Sequence, residues 1–289
     1  MSKVKIITDS GCDISKENEQ RYGIDIMSFE ITLGDETIIE RKTMSNEDFL
    51  QKIKTSEFLP KTAQITAIRF EEKFLECAEQ GYDDIIVVLI NSTGSQTYAN
   101  AVLAEKNLRE EGKLGNMKVH IIDSRCYSLG YGWPVVEAAK KIELGMSVDM
   151  VLAYLADWFN CLEIYIIGFD LRHMKKSGRI NAAAAFLGEL MGLRPIISLI
   201  DGESVVVKKS RGDKNAVADA VNYISGRMIP ETPWQVLTST VSENEEAFIK
   251  QYTKKVGSEP SMTECTGGVV ASNAGYAFIG VLIKGQPRR

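Results

Sequence analysis

The chain has 289 residues, 44% of them hydrophobic and 25% charged, with a formal net charge of −5. That balance belongs to a globular protein able to bury a large core, and it excludes long disordered or low-complexity stretches. The acidic balance speaks against nucleic acid as a main partner, and five scattered cysteines with no Cys-x-x-Cys pair signal neither a disulfide framework nor a zinc site. The first ten residues turn polar too early for a signal peptide. Apolar stretches are strand-length or interrupted by Gly and Glu, so the expectation is a cytoplasmic protein without a membrane span.

Residues 4–8 form a short apolar run that ends at Asp9-Ser10-Gly11, a strand followed by a loop, and Asp13-Ile14-Ser15 opens a polar helix that stops near Gly23. Residues 85–90, Ile-Ile-Val-Val-Leu-Ile, are a continuous β-branched run, the pattern of a strand buried on both faces of a parallel sheet. A long helix is predicted over 95–111, a strand over 118–122, and a further helix ending at Gly145. Strands alternating with helices in this way predict βαβ units. The second half begins with a helix over 148–159 and a strand over 163–168. A basic loop follows, then an alanine-rich helix over 182–191 and paired strands over 195–200 and 204–208. Asp201-Gly202 between those strands is a strong hairpin signal. A helix over 215–225 and further strands, the last over 279–283, complete the chain. The expected architecture is α/β in two domains: residues 1–155 with a mostly parallel sheet, and residues 156–289 with a mixed sheet.

Polar loops gather at the carboxyl ends of the predicted parallel strands, where open α/β sheets bind ligands. They are Thr8-Asp9-Ser10, Thr62-Ala63-Gln64, Asn91-Ser92-Thr93-Gly94-Ser95 and Asp123-Ser124-Arg125. The third lies between a buried strand and a helix, where free backbone N–H groups and the helix dipole favour an anion. Two readings stay open there: Ser92 or Ser95 caps the helix, or the loop holds an anionic group. No phosphate-binding Gly-x-x-x-x-Gly-Lys-Ser/Thr, nucleophile elbow or His-Glu-x-x-His occurs. Of the two histidines, His120 lies within a strand, and His173 sits in the basic run Arg172 to Arg179, which reads either as a solvated face or as a docking surface for an acidic partner. Asp9 and Asp123 each follow a buried strand and are the candidate bases if the protein is an enzyme acting on a small anionic substrate.

With these loops in view, the chain resembles the DegV family along almost its whole length. The residues that carry the resemblance are Thr8-Asp9-Ser10, Thr62-Ala63-Gln64, Asn91-Ser92-x-x-Ser95-x-Thr97-Tyr98, Ile122-Asp123-Ser124, Lys175-Lys176-Ser177-Gly178-Arg179-Ile180, and the glycine-containing tail from Gly275. Ala63, Gln96 and Ser177 depart from the family's Ser, Gly and Gly, and Asn273 stands where the family usually has His. The resemblance implies a two-domain DegV-like fold that holds a long-chain fatty acid between its domains. It also implies that the carboxylate is presented for phosphorylation to a partner fatty acid kinase of the dihydroxyacetone-kinase-like type. By the same resemblance the carboxylate ligands are Thr62, Ser92, Ser95 and Asn273. The acyl tunnel is lined from the second half by Ile164, Ile166, Phe186, Leu190, Met191 and Ile196, with Leu187 and Leu193 nearby, and Arg172, His173, Lys175, Lys176 and Arg179 face the kinase. No catalytic residue, metal or cofactor is expected, and membrane contact is at most transient. A lipid sensor without a kinase step is the other non-enzymatic reading.

Overall fold

The computed structural model describes residues 2–184 and 192–287. The N-terminal half runs β1 (Val4–Asp9), a 3-10 turn (Ser10–Cys12), α1 (Lys16–Arg21), β2 (Asp25–Met27), β3 (Glu30–Leu33), β4 (Glu36–Ile39), α2 (Asn46–Thr55), β5 (Lys61–Ala63), α3 (Ala67–Glu79), β6 (Asp84–Leu89), α4 (Thr97–Glu110) and β7 (Lys118–Asp123). Two helices, α5 (Leu129–Glu143) and α6 (Val148–Cys161), lead into the second half. There the order is β8 (Leu162–Gly168), α7 (Arg172–Ser177), α8 (Asn181–Ala184), β9 (Leu193–Ile200), β10 (Glu203–Arg211), α9 (Asp213–Ser225), β11 (Trp234–Thr238), α10 (Ser242–Val256), β12 (Met262–Cys265), α11 (Gly268–Ala274) and β13 (Phe278–Lys284). The expected residues Phe186, Leu187, Leu190 and Met191, and most of the alanine-rich helix, lie outside the described residues.

Three sheets result. A parallel sheet, β2-β1-β6-β7, has the all-buried β6 at its interior, as the unbroken apolar run predicts. A six-stranded mixed sheet, β10-β9-β8-β13-β11-β12, forms the second half, and its β9–β10 hairpin turns at Asp201-Gly202 as expected. The third sheet, β4-β3-β5, is small and antiparallel, and no sequence pattern announces it.

The helix α5 joins the halves and carries Pro134. Proline lacks the N–H that would bond the carbonyl of Gly130. The Trp158 indole donates to that carbonyl instead, at 3.0 Å, so α6 supplies the bond α5 cannot make. On the same helix, a Cβ at Gly132 would lie 2.0 Å from the Cys12 carbonyl oxygen, so only glycine permits this approach to the loop after β1.

The six-stranded sheet has two apolar faces. Tyr165, Ile167, Ile196, Trp234, Val236, Ile279 and Val281 point to one side and are covered by α9 and α10. Ile164, Ile166, Ile197, Leu199, Leu237 and Leu282 point to the other, toward the N-terminal half and its continuous core.

Candidate functional site

The second of these faces does not close on the N-terminal half. Between them lies a cavity of about 110 Å³. Cross-strand register sets its wall in two rows: Leu282, Ile164 and Leu199 in one, and Leu237, Gly280 and Ile166 in the other. Side chains directly opposite across a sheet share a face, so period-two alternation places all of these toward the cavity. Phe278, Ile180, and Val269, Val270 and Ala274 of α11 add apolar surface.

Its polar residues come from loops and strand ends. Thr62 (on β5) and Gln64 line it, with Ser95, Tyr127, Ser128, Arg179 and Asn273. Ser95 Oγ lies 2.9 Å from Thr97 Oγ1, which fixes it at the start of α4. Asn273 donates its amide N–H to the Val269 carbonyl one turn back, at 2.8 Å. The Tyr127 hydroxyl accepts from Asn91 Nδ2 at 2.9 Å, and burial pushes its pKa upward while Arg179 opposes that shift. Arg179 therefore faces Tyr127 across the seam between the two halves. It is the one cationic side chain among the described residues that line the cavity; none of those residues is a carboxylate or a histidine.

Thr62, Ser95 and Asn273 thus converge on one cavity, and Ile164 and Ile166 form part of its wall. The remaining predicted residues stand elsewhere. Ser92 is not among the described lining residues: its N–H and hydroxyl both donate to Asp123, at 3.1 and 2.5 Å, tying the loop after β6 to the end of β7. Ile196 faces α9, because β9 directs the odd-numbered Ile197 and Leu199 toward the N-terminal half. The basic run is a helix, α7, closed by Gly178 at φ 71°, and its periodicity turns His173 and Met174 inward. His173 is buried edge-on against Tyr276, and that burial lowers its pKa, so its ring is turned away from any docking surface. Arg172 is exposed but engaged with Asp170 and the Tyr276 hydroxyl; Lys176 is exposed and Lys175 half-buried.

Asp9, the candidate base, is fully buried and accepts bonds from Ile90 N at 2.8 Å, Gly11 N at 3.1 Å and the Tyr131 hydroxyl at 2.5 Å. Burial pushes its carboxyl up to about 6 against these bonds. Glu40 is a group that sequence reasoning missed. It accepts from Val269 N at 2.7 Å and from the Ser10 hydroxyl, which anchors α11 over the cavity, and burial pushes it up to about 7. Asp13, raised well above its ordinary value by burial and by Glu40, accepts from the Ser128 hydroxyl at 2.6 Å.

The family model described as "Uncharacterised protein, DegV family" matches residues 3–285. A DegV domain-containing protein of Clostridium perfringens is 31% identical over 254 residues, covering 87% of this chain and 88% of that protein. A second one from the same organism is 27% identical over 281 residues, covering 96% and 97%. Among solved structures, a DegV family protein from Thermus thermophilus described for its fatty acid binding superposes with TM-score 0.84 at 24% identity, covering 98% of this chain and all (100%) of that one. A fatty acid binding DegV family protein from Streptococcus agalactiae superposes with TM-score 0.85 at 22% identity, covering 99% and 100%. At these identities the structural likeness is one of fold. Among the described residues, no helix is long and apolar enough to cross a membrane.

Proposed function

This chain belongs to the DegV family, and from that premise we propose that it binds a fatty acid in the cavity between its two halves. The observation that carries the reading is the cavity's composition: rows of aliphatic side chains from one sheet face, with Arg179 as the sole cation among the described lining residues. The carboxylate is placed by Arg179 together with Thr62, Ser95 and Asn273, and Ser92 keeps the adjoining loop in place through Asp123. Each buried methylene is worth about 0.8 kcal/mol. A hydrogen bond to a charged group adds about 1.5–3 kcal/mol, so a long chain sets affinity while the polar residues set position. Without a carboxylate or histidine on the described wall, the site offers no general base, which favours holding a ligand over transforming it. Arg172, Lys175 and Lys176 lie on the helix that leads to Arg179, a basic surface suited to docking a partner kinase that phosphorylates the bound carboxylate.

Extraction of the purified protein with organic solvent, followed by mass spectrometry, tests the first part. A stoichiometric fatty acid is expected; a clean extract with no uptake of added fatty acid overturns the reading. Phosphorylation of the bound acid by an added fatty acid kinase, lost in Lys175→Ala/Lys176→Ala with lipid binding retained, tests the second.

A further inference from the structure

Tyr127 lines the cavity, and its neighbours decide which way its hydroxyl can bond. Asn91 Oδ1 accepts from the N–H and the hydroxyl of Thr93, both at 3.1 Å, so the amide's other end, Nδ2, is the one that meets Tyr127. An amide N–H only donates. The phenolic oxygen is therefore the acceptor in that 2.9 Å bond, and its own hydrogen is left for a different partner. Asn91 is fully buried beneath the β9–β10 turn, where a Cβ at Gly202 would lie 2.5 Å from Nδ2, so the amide is held in this orientation. Among the described residues no acceptor takes the phenolic hydrogen. Gly94, which also lines the cavity, marks where the hydroxyl lies: a Cβ there would fall 2.5 Å from the Tyr127 oxygen. Arg179 is close enough to oppose the rise in pKa that burial imposes on the phenol, so an uncommitted donor and a cation stand together at the seam.

Resting on the fatty-acid reading, we infer that Tyr127 determines head-group specificity: its O–H donates to one carboxylate oxygen beside Arg179, and this selects the free acid over its alcohol or ester. A hydrogen bond to an ionised acceptor is roughly twice as strong as one to a neutral oxygen, so the phenol discriminates by charge as well as by shape. Glycine at 94 is then a requirement of the phenol. The three atoms nearest to a Cβ at that position all belong to Tyr127, and Gly94 is not one of the glycines with positive φ, so alanine there acts through the phenol and not through backbone strain.

The test is titration of the purified protein with octadecanoic acid, octadecanol and methyl octadecanoate, for the wild type, Tyr127→Phe, Gly94→Ala and the double variant. Tyr127→Phe removes one oxygen and keeps the ring. It is expected to weaken the acid about tenfold, equivalent to about 1.4 kcal/mol, and the alcohol and ester by less than about threefold. Gly94→Ala is expected to weaken the acid too, but to matter much less once the hydroxyl is gone, since the nearest remaining ring atom is 3.2 Å from the new Cβ. Binding of the acid should shift the tyrosine ultraviolet band to longer wavelength in the wild type and not in Tyr127→Phe, which wall packing alone would not produce. Thermal unfolding confirms the fold of each variant, and Gly94→Ala, which keeps the phenol and displaces it, carries the test should Tyr127→Phe unfold. Equal losses for acid, alcohol and ester assign Tyr127 to packing and overturn the inference. Undiminished acid affinity in folded Tyr127→Phe overturns it as well, and both results leave the fatty-acid reading standing. Failure of the wild type to bind any of the three ligands overturns both.

Discussion

The two faces of the six-stranded sheet are built from alternate residues of the same strands, yet one is solid and the other hollow. On the solid face Trp234 and Phe248 both pack on Tyr252, with ring centroids 4.7 and 5.2 Å away, and α9 and α10 cover the strands directly. On the hollow face the covering element is α11, together with the loops of the parallel sheet, and its hold depends on a buried carboxyl, Glu40, instead of on interlocking rings. Aliphatic side chains of the same kind line both. What distinguishes a core from a binding cavity here is the cover: α9 and α10 on one side, α11 with loops of the distant N-terminal half on the other.

Substitutions can break that comparison. Trp234→Ala should cost about 3–5 kcal/mol in denaturant unfolding, since the large void opens in a well-packed layer. Ile167→Ala, on the same face, should cost about 2–5 kcal/mol, whereas Ile166→Ala in the ligand-free protein should cost less than half as much, because its neighbours already face open space. Equal costs at 166 and 167 would mean that the hollow face is as well filled as the solid one. The next effect is pH-dependent. The Glu40 carboxyl sits at about 7 in the fold against an ordinary 4.5, so the folded state binds the extra proton. Its stabilising share is complete below pH 4.5 and is lost as the pH rises through about 7. Asp9, at about 6, acts in the same direction, Asp13 adds to it, and the neighbouring Arg41 opposes the rise of Glu40. Unfolding free energies should therefore fall between pH 5 and 8 by on the order of 2 kcal/mol, and Glu40→Gln should flatten the curve. A Gln variant with an unchanged slope would remove Glu40 as the titrating hold on α11. The smallest effect belongs to the polar residues of the cavity. Arg179→Gln should weaken a fatty acid about tenfold, roughly 1.4 kcal/mol, and leave the matching fatty alcohol unaffected. Equal losses for acid and alcohol would assign Arg179 to packing.

Much of the fold is legible in the chain because local patterns carry it. The run over 85–90 has no polar position and becomes the interior strand β6, and Asp201-Gly202 supplies the left-handed φ values, 50° and 80°, that its hairpin turn needs. The cavity is less legible for a reason of parity. Residues 195–200 of β9 are apolar at both odd and even positions apart from Ser198, so no alternation marks which side faces the cavity, and Ile196 is one residue out of phase with the wall. The basic run misleads in another way: a cluster of charges reads as exposed loop, but at helical spacing Arg172 and Lys176 face out while His173 faces in. Arg179 is visible as part of a motif, yet only the meeting of the two halves brings it beside Tyr127 and into the cavity. Glu40 gives no signal at all, since an acid in a polar stretch is ordinary until its surroundings are known.

The bond from Val269 N to Glu40 spans 229 residues, and the Asn46 side chain donates to the Cys265 carbonyl across 219. A Cβ at Gly268 would run into Ile31 and meet Phe49, so the small sheet made early in synthesis is roofed by a helix made almost last. At about 5–20 residues per second, a ribosome takes roughly ten to fifty seconds to travel from one end of that bond to the other. Once β7 has been made, the parallel sheet can assemble while the small sheet beside it stays uncovered until α11 follows, so the birth of this protein runs in an order that its linear map of two halves conceals.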